Sequence, residues 1–120
     1  MTETSSPPPV GPYRPVVRAG EWIICSGQLG LRDGALVEGG VGPELRQAVE
    51  NLTAILASEG ASLDDVVKTT VFLTDMASFD EMNKAYVEAF RESRPARSAV
   101  GVVALPRGGS VEIEAWARRA

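Results

Sequence analysis

Val16 to Arg18 and Trp22 to Ser26 are runs of β-favouring residues separated by Ala19-Gly20, which predicts strand, turn, strand. Gly30 to Gly34 and Gly39-Gly40 punctuate the next section as loops or a small hairpin. From Gly42-Pro43-Glu44 the period changes. Leu45, Ala48, Val49, Leu52, Ile55 and Leu56 recur at helical spacing, and Gly60 stops them. Proline suits the first helical turn, and an acid there favours the positive end of the helix dipole. Ser62 to Asp65 form a capped turn leading into Val66 to Leu73, a strongly β run. Ser78 and Glu81 have the spacing of a capping box ahead of a second apolar stripe: Phe79, Met82, Tyr86, Val87 and Phe90. Ser93-Arg94-Pro95 ends that helix. Ser98 to Leu105 then predicts a strand, Pro106 to Gly109 a turn, and Ser110 to Ala117 the last strand.

The order β-β-α-β-α-β-β implies an α+β sheet with both helices on one face. The stretch Ala99 to Leu105 is apolar at nearly every position, so both of its faces call for burial, and two helices cannot cover both faces of a sheet. A second copy of the chain is the cheapest cover, which predicts a symmetric oligomer. With 120 residues, 44% of them hydrophobic, the chain supports one core. We assign residues 1–9, polar and proline-rich, to a flexible or extended tail and residues 10–120 to a single domain.

Composition narrows the chemistry. There are no histidines and one cysteine, so Ser-His-Asp and Cys-His nucleophile systems, HExxH and Cys/His zinc sites, and CxxC redox pairs cannot be built within one chain. Sixteen acidic against twelve basic residues give a net charge of −4, a field that repels phosphates and disfavours nucleic acid as a partner unless a local basic patch overrides it. Apolar runs such as Val102 to Leu105 are too short to span a membrane, and the first nine residues lack the pattern of a secretory signal. The expected location is the cytoplasm.

Within those limits a few residues stand out. The last strand alternates: Val111, Ile113, Ala115 and Ala117 point one way, Glu112, Glu114 and Trp116 the other. Two carboxylates two residues apart on a strand lie roughly 7 Å from each other on one face. Taken alone they read as ordinary solvated acids; beside an oligomer interface they acquire a function. Arg97, at the start of a strand, suits bidentate capture of a carboxylate and equally a structural ion pair. Asn83, between Met82 and Tyr86 on the second helix, needs partners if buried, and cross-linking a loop is the simpler reading. Cys25 reads as buried and inert. Gly39, Gly40 and Gly42 match no phosphate-binding pattern and read as loop.

Gly11-Pro12-Tyr13, Ser26-Gly27-Gln28, Val67 to Leu73, Asn83 with Tyr86, Pro95-Ala96-Arg97-Ser98 and Val111-Glu112-Ile113-Glu114-Ala115 together resemble the RidA/YjgF family of reactive-intermediate deaminases, in the family's order and over nearly all the chain after the tail. The resemblance implies a chorismate-mutase-like α+β fold, a homotrimer with clefts between subunits, and hydrolysis of enamine and imine intermediates to 2-oxo acids and ammonia without metal or organic cofactor. Residue by residue, it implies that Arg97 grips the substrate carboxylate and that Glu112 orients or activates the attacking water. Tyr13 and Ser26 would line the cleft, Gly27 would lie beside the ligand, and Asn83 near it. Some members have cysteine where this chain has Ala99, which leaves the backbone N–H as a carboxylate donor but excludes thiol chemistry. The segment from Phe90 to Pro95 is also short compared with some members, which would reshape the cleft rim. Three other functions stay open at this point: a related enzyme acting on other small imines or peracids, a regulator that binds 2-oxo acids without turnover, and an endoribonuclease or translation inhibitor, against which the charge and the missing histidines weigh.

One geometric expectation follows. If Pro106 to Gly109 is a tight turn between paired strands, Arg97 and Glu112 stand some five residues apart along the ladder, on the order of 17 Å. A small substrate cannot bridge that distance, so the two would serve one site from different subunits.

Overall fold

A computed structural model describes residues 8–120. The tail assignment therefore lies outside the described residues except at Pro8 and Pro9. Five strands form one mixed sheet: β1 (Val16–Ala19), β2 (Trp22–Leu29), β5 (Val66–Leu73), β6 (Ala96–Gly101) and β7 (Val111–Arg118), in the order β1-β2-β7-β5-β6. The short β3 (Leu31–Arg32) and β4 (Ala35–Leu36) make the small hairpin expected from the glycines. Helices α1 (Val41–Ser58) and α2 (Phe79–Phe90) pack against one another and against the same face of the sheet.

The alternation of β7 explains that layering. Val111, Ile113, Ala115 and Ala117 are fully buried, and their neighbours on that face, Ile23 and Cys25 of β2 and Val71 and Leu73 of β5, are buried with them. Above lie Leu45, Leu52, Ile55 and Leu56 of α1 and Met82, Ala85 and Phe90 of α2. Alanine at 115 and 117 lets the helices approach the central strand closely. Buried polar groups register the layers. Asn51 of α1 donates to the carbonyls of Leu29 and Leu31 at 3.1 and 3.0 Å, and Gln47 donates to the Asn51 oxygen. Buried Glu44, in the first turn of α1, accepts from the backbone N–H of Ser110 at 2.8 Å and so anchors the start of β7.

Three expectations are corrected. The stretches around β6 and β7 do not form a hairpin. β6 runs parallel to β5, and β7 is inserted between β2 and β5, antiparallel to both. The intervening chain leaves the sheet after Gly101, exposes Val103 completely, and turns through a short 3₁₀ segment at Pro106–Gly108 with Arg107 at φ 60°. The two-faced burial inferred for Ala99 to Leu105 therefore does not hold, because the strand ends at Gly101. Finally, Ser78 makes no capping bond to α2; Asp75 instead caps the preceding turn by accepting from Ala77 N–H, whereas Ser62 and Asp65 do form a capping box.

The face of the sheet opposite the helices is uncovered in the isolated chain. It presents exposed Val17, Trp22, Val100 and Trp116 with half-buried Ile24 and Phe72, and Glu112 and Glu114 rise from its central strand. Trp22 and Trp116 pack edge to face, 6.0 Å between centroids.

Candidate active site

The sheet separates the candidate residues into two groups. The first surrounds Glu112. The β2–β7 register slips between Cys25 and Gln28, which places Ser26 and Gly27 in a β-bulge. The bulge holds Gly27 directly against Glu112: a Cβ there would lie 2.8 Å from the Glu112 carboxyl carbon. Ser26 is tied to the segment before β1. Its hydroxyl donates to the Arg14 carbonyl at 2.6 Å, and its N–H to the Pro15 carbonyl at 2.9 Å. That segment curls over the bulge, so Tyr13, Gly27, Gln28 and Glu112 share a small groove of about 20 Å³ with Pro8, Pro9, Leu29 and Leu31. Burial raises the Glu112 pKa above the ordinary carboxylate value, and the neighbouring charge of Glu114 raises it further. Nothing in the periodicity marked Pro8, Pro9, Leu29 or Leu31 as groove walls. Leu29 pairs with Glu112 across the β2–β7 ladder and Leu31 follows in the small hairpin, an adjacency that exists only once β7 is central.

The second group surrounds Arg97, on the helix-bearing side. Arg97 sits beside buried Thr69 in the β5–β6 ladder, and its guanidinium reaches α2. There it donates to the Asn83 side-chain oxygen at 2.7 Å and lies 3.7 Å from the Met82 sulfur. Its Cζ stands 4.9 Å from the centre of the Tyr86 ring and 5.6 Å from that of Phe79. Asn83 thus holds a strand arginine rather than cross-linking a loop. Among the described residues four ion pairs form, and none involves Arg97. The ion-pair reading is thereby removed: the guanidinium is half-buried against neutral groups, with its charge uncompensated. Ala99 lies two residues along β6, half-buried, paired with Val71.

A single chain does not bring Arg97 and Glu112 together. Arg97 is level with Thr69, Glu112 with Phe72, and β5 lies between their strands. Three residues along and two strands across separate their Cα atoms by about 14 Å, and the side chains leave opposite faces of the sheet. Cys25 takes no part in either group. It is buried under the helices, and burial, then the charge of Glu59, push its thiol up to about 12.

The endoribonuclease L-PSP family model matches residues 3–119. The 2-iminobutanoate/2-iminopropanoate deaminase of Mus musculus is 47% identical over 98% of this chain and 88% of its own length. A RutC family protein of Pyrococcus horikoshii is 44% identical over 94% of this chain and 91% of its own. The crystal structure of RidA from an Antarctic Psychrobacter species superposes with a TM-score of 0.91 at 42% identity, covering 95% of this chain and 94% of that one.

Proposed function

The chain belongs to the endoribonuclease L-PSP family, which includes the RidA/YjgF proteins, and from that premise we propose that it hydrolyses reactive 2-imino acids and their enamine tautomers to 2-oxo acids and ammonia. The observation that carries this reading is Arg97: a half-buried guanidinium with no acid partner among the described residues, held in place by an amide oxygen and two aromatic rings. Such a group is a standing vacancy for a small carboxylate. Glu112 supplies the complementary chemistry. Burial, then the charge of Glu114, raise its carboxyl above the ordinary carboxylate value, which makes it a better proton acceptor than a solvated glutamate.

In this mechanism Arg97 binds the substrate carboxylate and fixes the imine carbon near Glu112, removing much of the entropic cost of alignment. Water held by Glu112 attacks that carbon and its proton passes to the carboxylate. Glu112 returns that proton to the nitrogen to complete the carbinolamine, then takes the carbinolamine hydroxyl proton and passes it to the amino group, so that the C–N bond breaks, the carbonyl forms and ammonia leaves. Tyr13, Ser26 and Gly27 shape the water side of the cleft; Asn83 and the Ala99 backbone N–H serve the carboxylate side. The protomer separates its two groups by a sheet, so the site of this reading lies between subunits of a homotrimer, each protomer giving Arg97 to one neighbour and Glu112 to the other. The exposed apolar residues on the open face, Val17, Trp22, Val100 and Trp116, are the surface such an assembly covers.

The test generates iminopropanoate in place with an amino-acid oxidase and follows its loss. Wild type accelerates the loss, and Arg97→Ala abolishes the acceleration while the oligomer stays intact. When Arg97→Ala and Glu112→Ala chains are unfolded together and refolded as a mixture, roughly a quarter of the sites in a random trimer combine an intact arginine with an intact glutamate, and activity returns to that level. No return of activity removes the shared site. No acceleration by wild type removes the function.

A further inference from the structure

We propose that Tyr86 and Phe79 are positioning residues for Arg97, and that the buried Thr69 hydroxyl sets the ring on which the guanidinium rests. This rests on the reading that Arg97 receives the substrate carboxylate. Phe79, Asn83 and Tyr86 stand at i, i+4 and i+7 of α2, one face of the helix, and all three reach the guanidinium. An arginine side chain has several rotatable bonds and wanders when nothing fixes it. Here both hydrogen bonds of the guanidinium, to the Asn83 side-chain oxygen and to the Met82 sulfur, leave from the one nitrogen Nη1, and bonds at one corner fix a point but not a plane. The planar orientation is left to the ring faces, 4.9 and 5.6 Å from Cζ.

The Tyr86 ring is unusually constrained for that purpose. Its hydroxyl pairs with the Thr69 hydroxyl at 2.7 Å, and the ring stacks on Phe90 with centroids 4.5 Å apart at 26°. Thr69 is fully buried and is the β5 partner of Arg97 itself. The strand that sets where Arg97 begins thus also sets the ring on which its far end rests. Aromatic faces orient a cation without neutralising it, so the charge stays available for an anion. A carboxylate in the same place would fill the vacancy.

Three measurements test this. In wild type, the side-chain N–H signals of Arg97, assigned by their loss in Arg97→Lys, are shifted upfield by ring current and report a rigid side chain; Tyr86→Leu and Phe79→Leu each move them back toward free-arginine values. In steady-state hydrolysis of iminopropanoate, Tyr86→Leu raises KM about ten-fold, the equivalent of one desolvated cation–π contact, with a smaller change in kcat; the dissociation constant for pyruvate rises equally, and Tyr86→Phe, which keeps the ring face but loses its tie to Thr69, restores only part of the loss. In the Arg97→Lys background the Tyr86→Leu penalty shrinks to about two-fold or less, because the ring acts through the guanidinium. Arg97 signals at free-arginine positions in folded wild type overturn the proposal. So does a Tyr86→Leu penalty as large in the Arg97→Lys background as in wild type, which marks the ring as ordinary packing. Phe79→Leu, at a less buried position, decides the matter if Tyr86→Leu fails to fold. Wild type that neither turns over the imine nor binds pyruvate, yet shows the shifted Arg97 signals, overturns the functional reading and with it the carboxylate role given to the clamp.

Discussion

Replacing Gly27 with alanine separates activity from stability. The added Cβ would lie 2.8 Å from the Glu112 carboxyl carbon and 3.0 Å from one carboxylate oxygen, where ordinary contact begins at 3.4 Å. Something has to retreat by about 0.6 Å. The obstacle is the free end of a flexible side chain, so the carboxylate moves and the backbone does not. Gly27 is absent from the positive-φ glycines, so alanine is tolerated there, and the loss of unfolded-chain entropy offsets part of any strain, by about 0.4–1 kcal/mol. The melting temperature should stay within a few degrees of wild type. Catalysis should not, since a displacement approaching 1 Å at a reacting group costs up to about 10²-fold. The control is Gly30→Ala, whose Cβ would meet the α1 backbone at Glu44 at 2.6 Å, an obstacle that cannot swing away. That variant loses stability by about 1–3 kcal/mol in urea denaturation. Gly27→Ala with wild-type turnover of iminopropanoate would falsify the role given to the position of Glu112.

Glu112→Gln should lower kcat by about 10²-fold or more, read in the coupled oxidase assay. It should also raise the melting temperature at neutral pH. The folded-state pKa of Glu112 lies above its unfolded value, so the folded protein binds more protons between the two, and stability falls as pH rises through that window; glutamine has no such loss, and the difference vanishes below the ordinary carboxylate range in melts run across pH. Thr69→Val, nearly isosteric, leaves the buried Tyr86 hydroxyl without its partner and should cost about 1–3 kcal/mol in urea denaturation, most of it recovered when Tyr86→Phe is added. Cys25, 2% exposed with its thiol raised to about 12, should resist a thiol reagent in the native protein at mildly alkaline pH and react stoichiometrically once the chain is unfolded; native labelling at the unfolded rate contradicts the burial.

The elements were legible where one period dominates. Leu45 to Leu56 mark α1 because helical spacing and a buried face coincide, and β7 shows its inner and outer residues because the alternation of Val111 to Ala117 is unbroken. Topology was not legible in the same way. Which strands pair depends on where the chain between them runs, and the segment from Val102 to Gly109 reads as strand and turn by composition while crossing over β5 in space. The site residues divide along the same line. Arg97 and Glu112 are conspicuous as residue types, whereas Phe79 and Tyr86 are spaced as core and become a cradle only because β6 runs parallel to β5 and delivers an arginine beneath α2. An aromatic that packs on a leucine and one that packs under a guanidinium leave the same periodic trace.

The sheet itself explains why a reaction needing one cation and one anion would be divided between chains. Placed on the same face at hydrogen-bond distance, Arg97 and Glu112 would neutralise each other, and a substrate carboxylate would have to compete with Glu112 for the guanidinium. Held on opposite faces about 14 Å apart, each keeps its own electrostatic environment. Arg97 remains a cation on aromatic faces, and Glu112 remains a carboxylate raised by burial and by Glu114, with no cation paired to it among the described residues to pull it back down. On the proposed reading, assembly then brings the two close enough to hold a small substrate between them, with the substrate rather than a salt bridge occupying the gap. Oligomerisation in that account is the step that creates the site, so a substitution on the open face remote from both residues, such as Trp116→Arg, should abolish turnover in proportion to the fraction of monomer measured by analytical ultracentrifugation; a fully active monomer would show that the division between chains is not how this protein works.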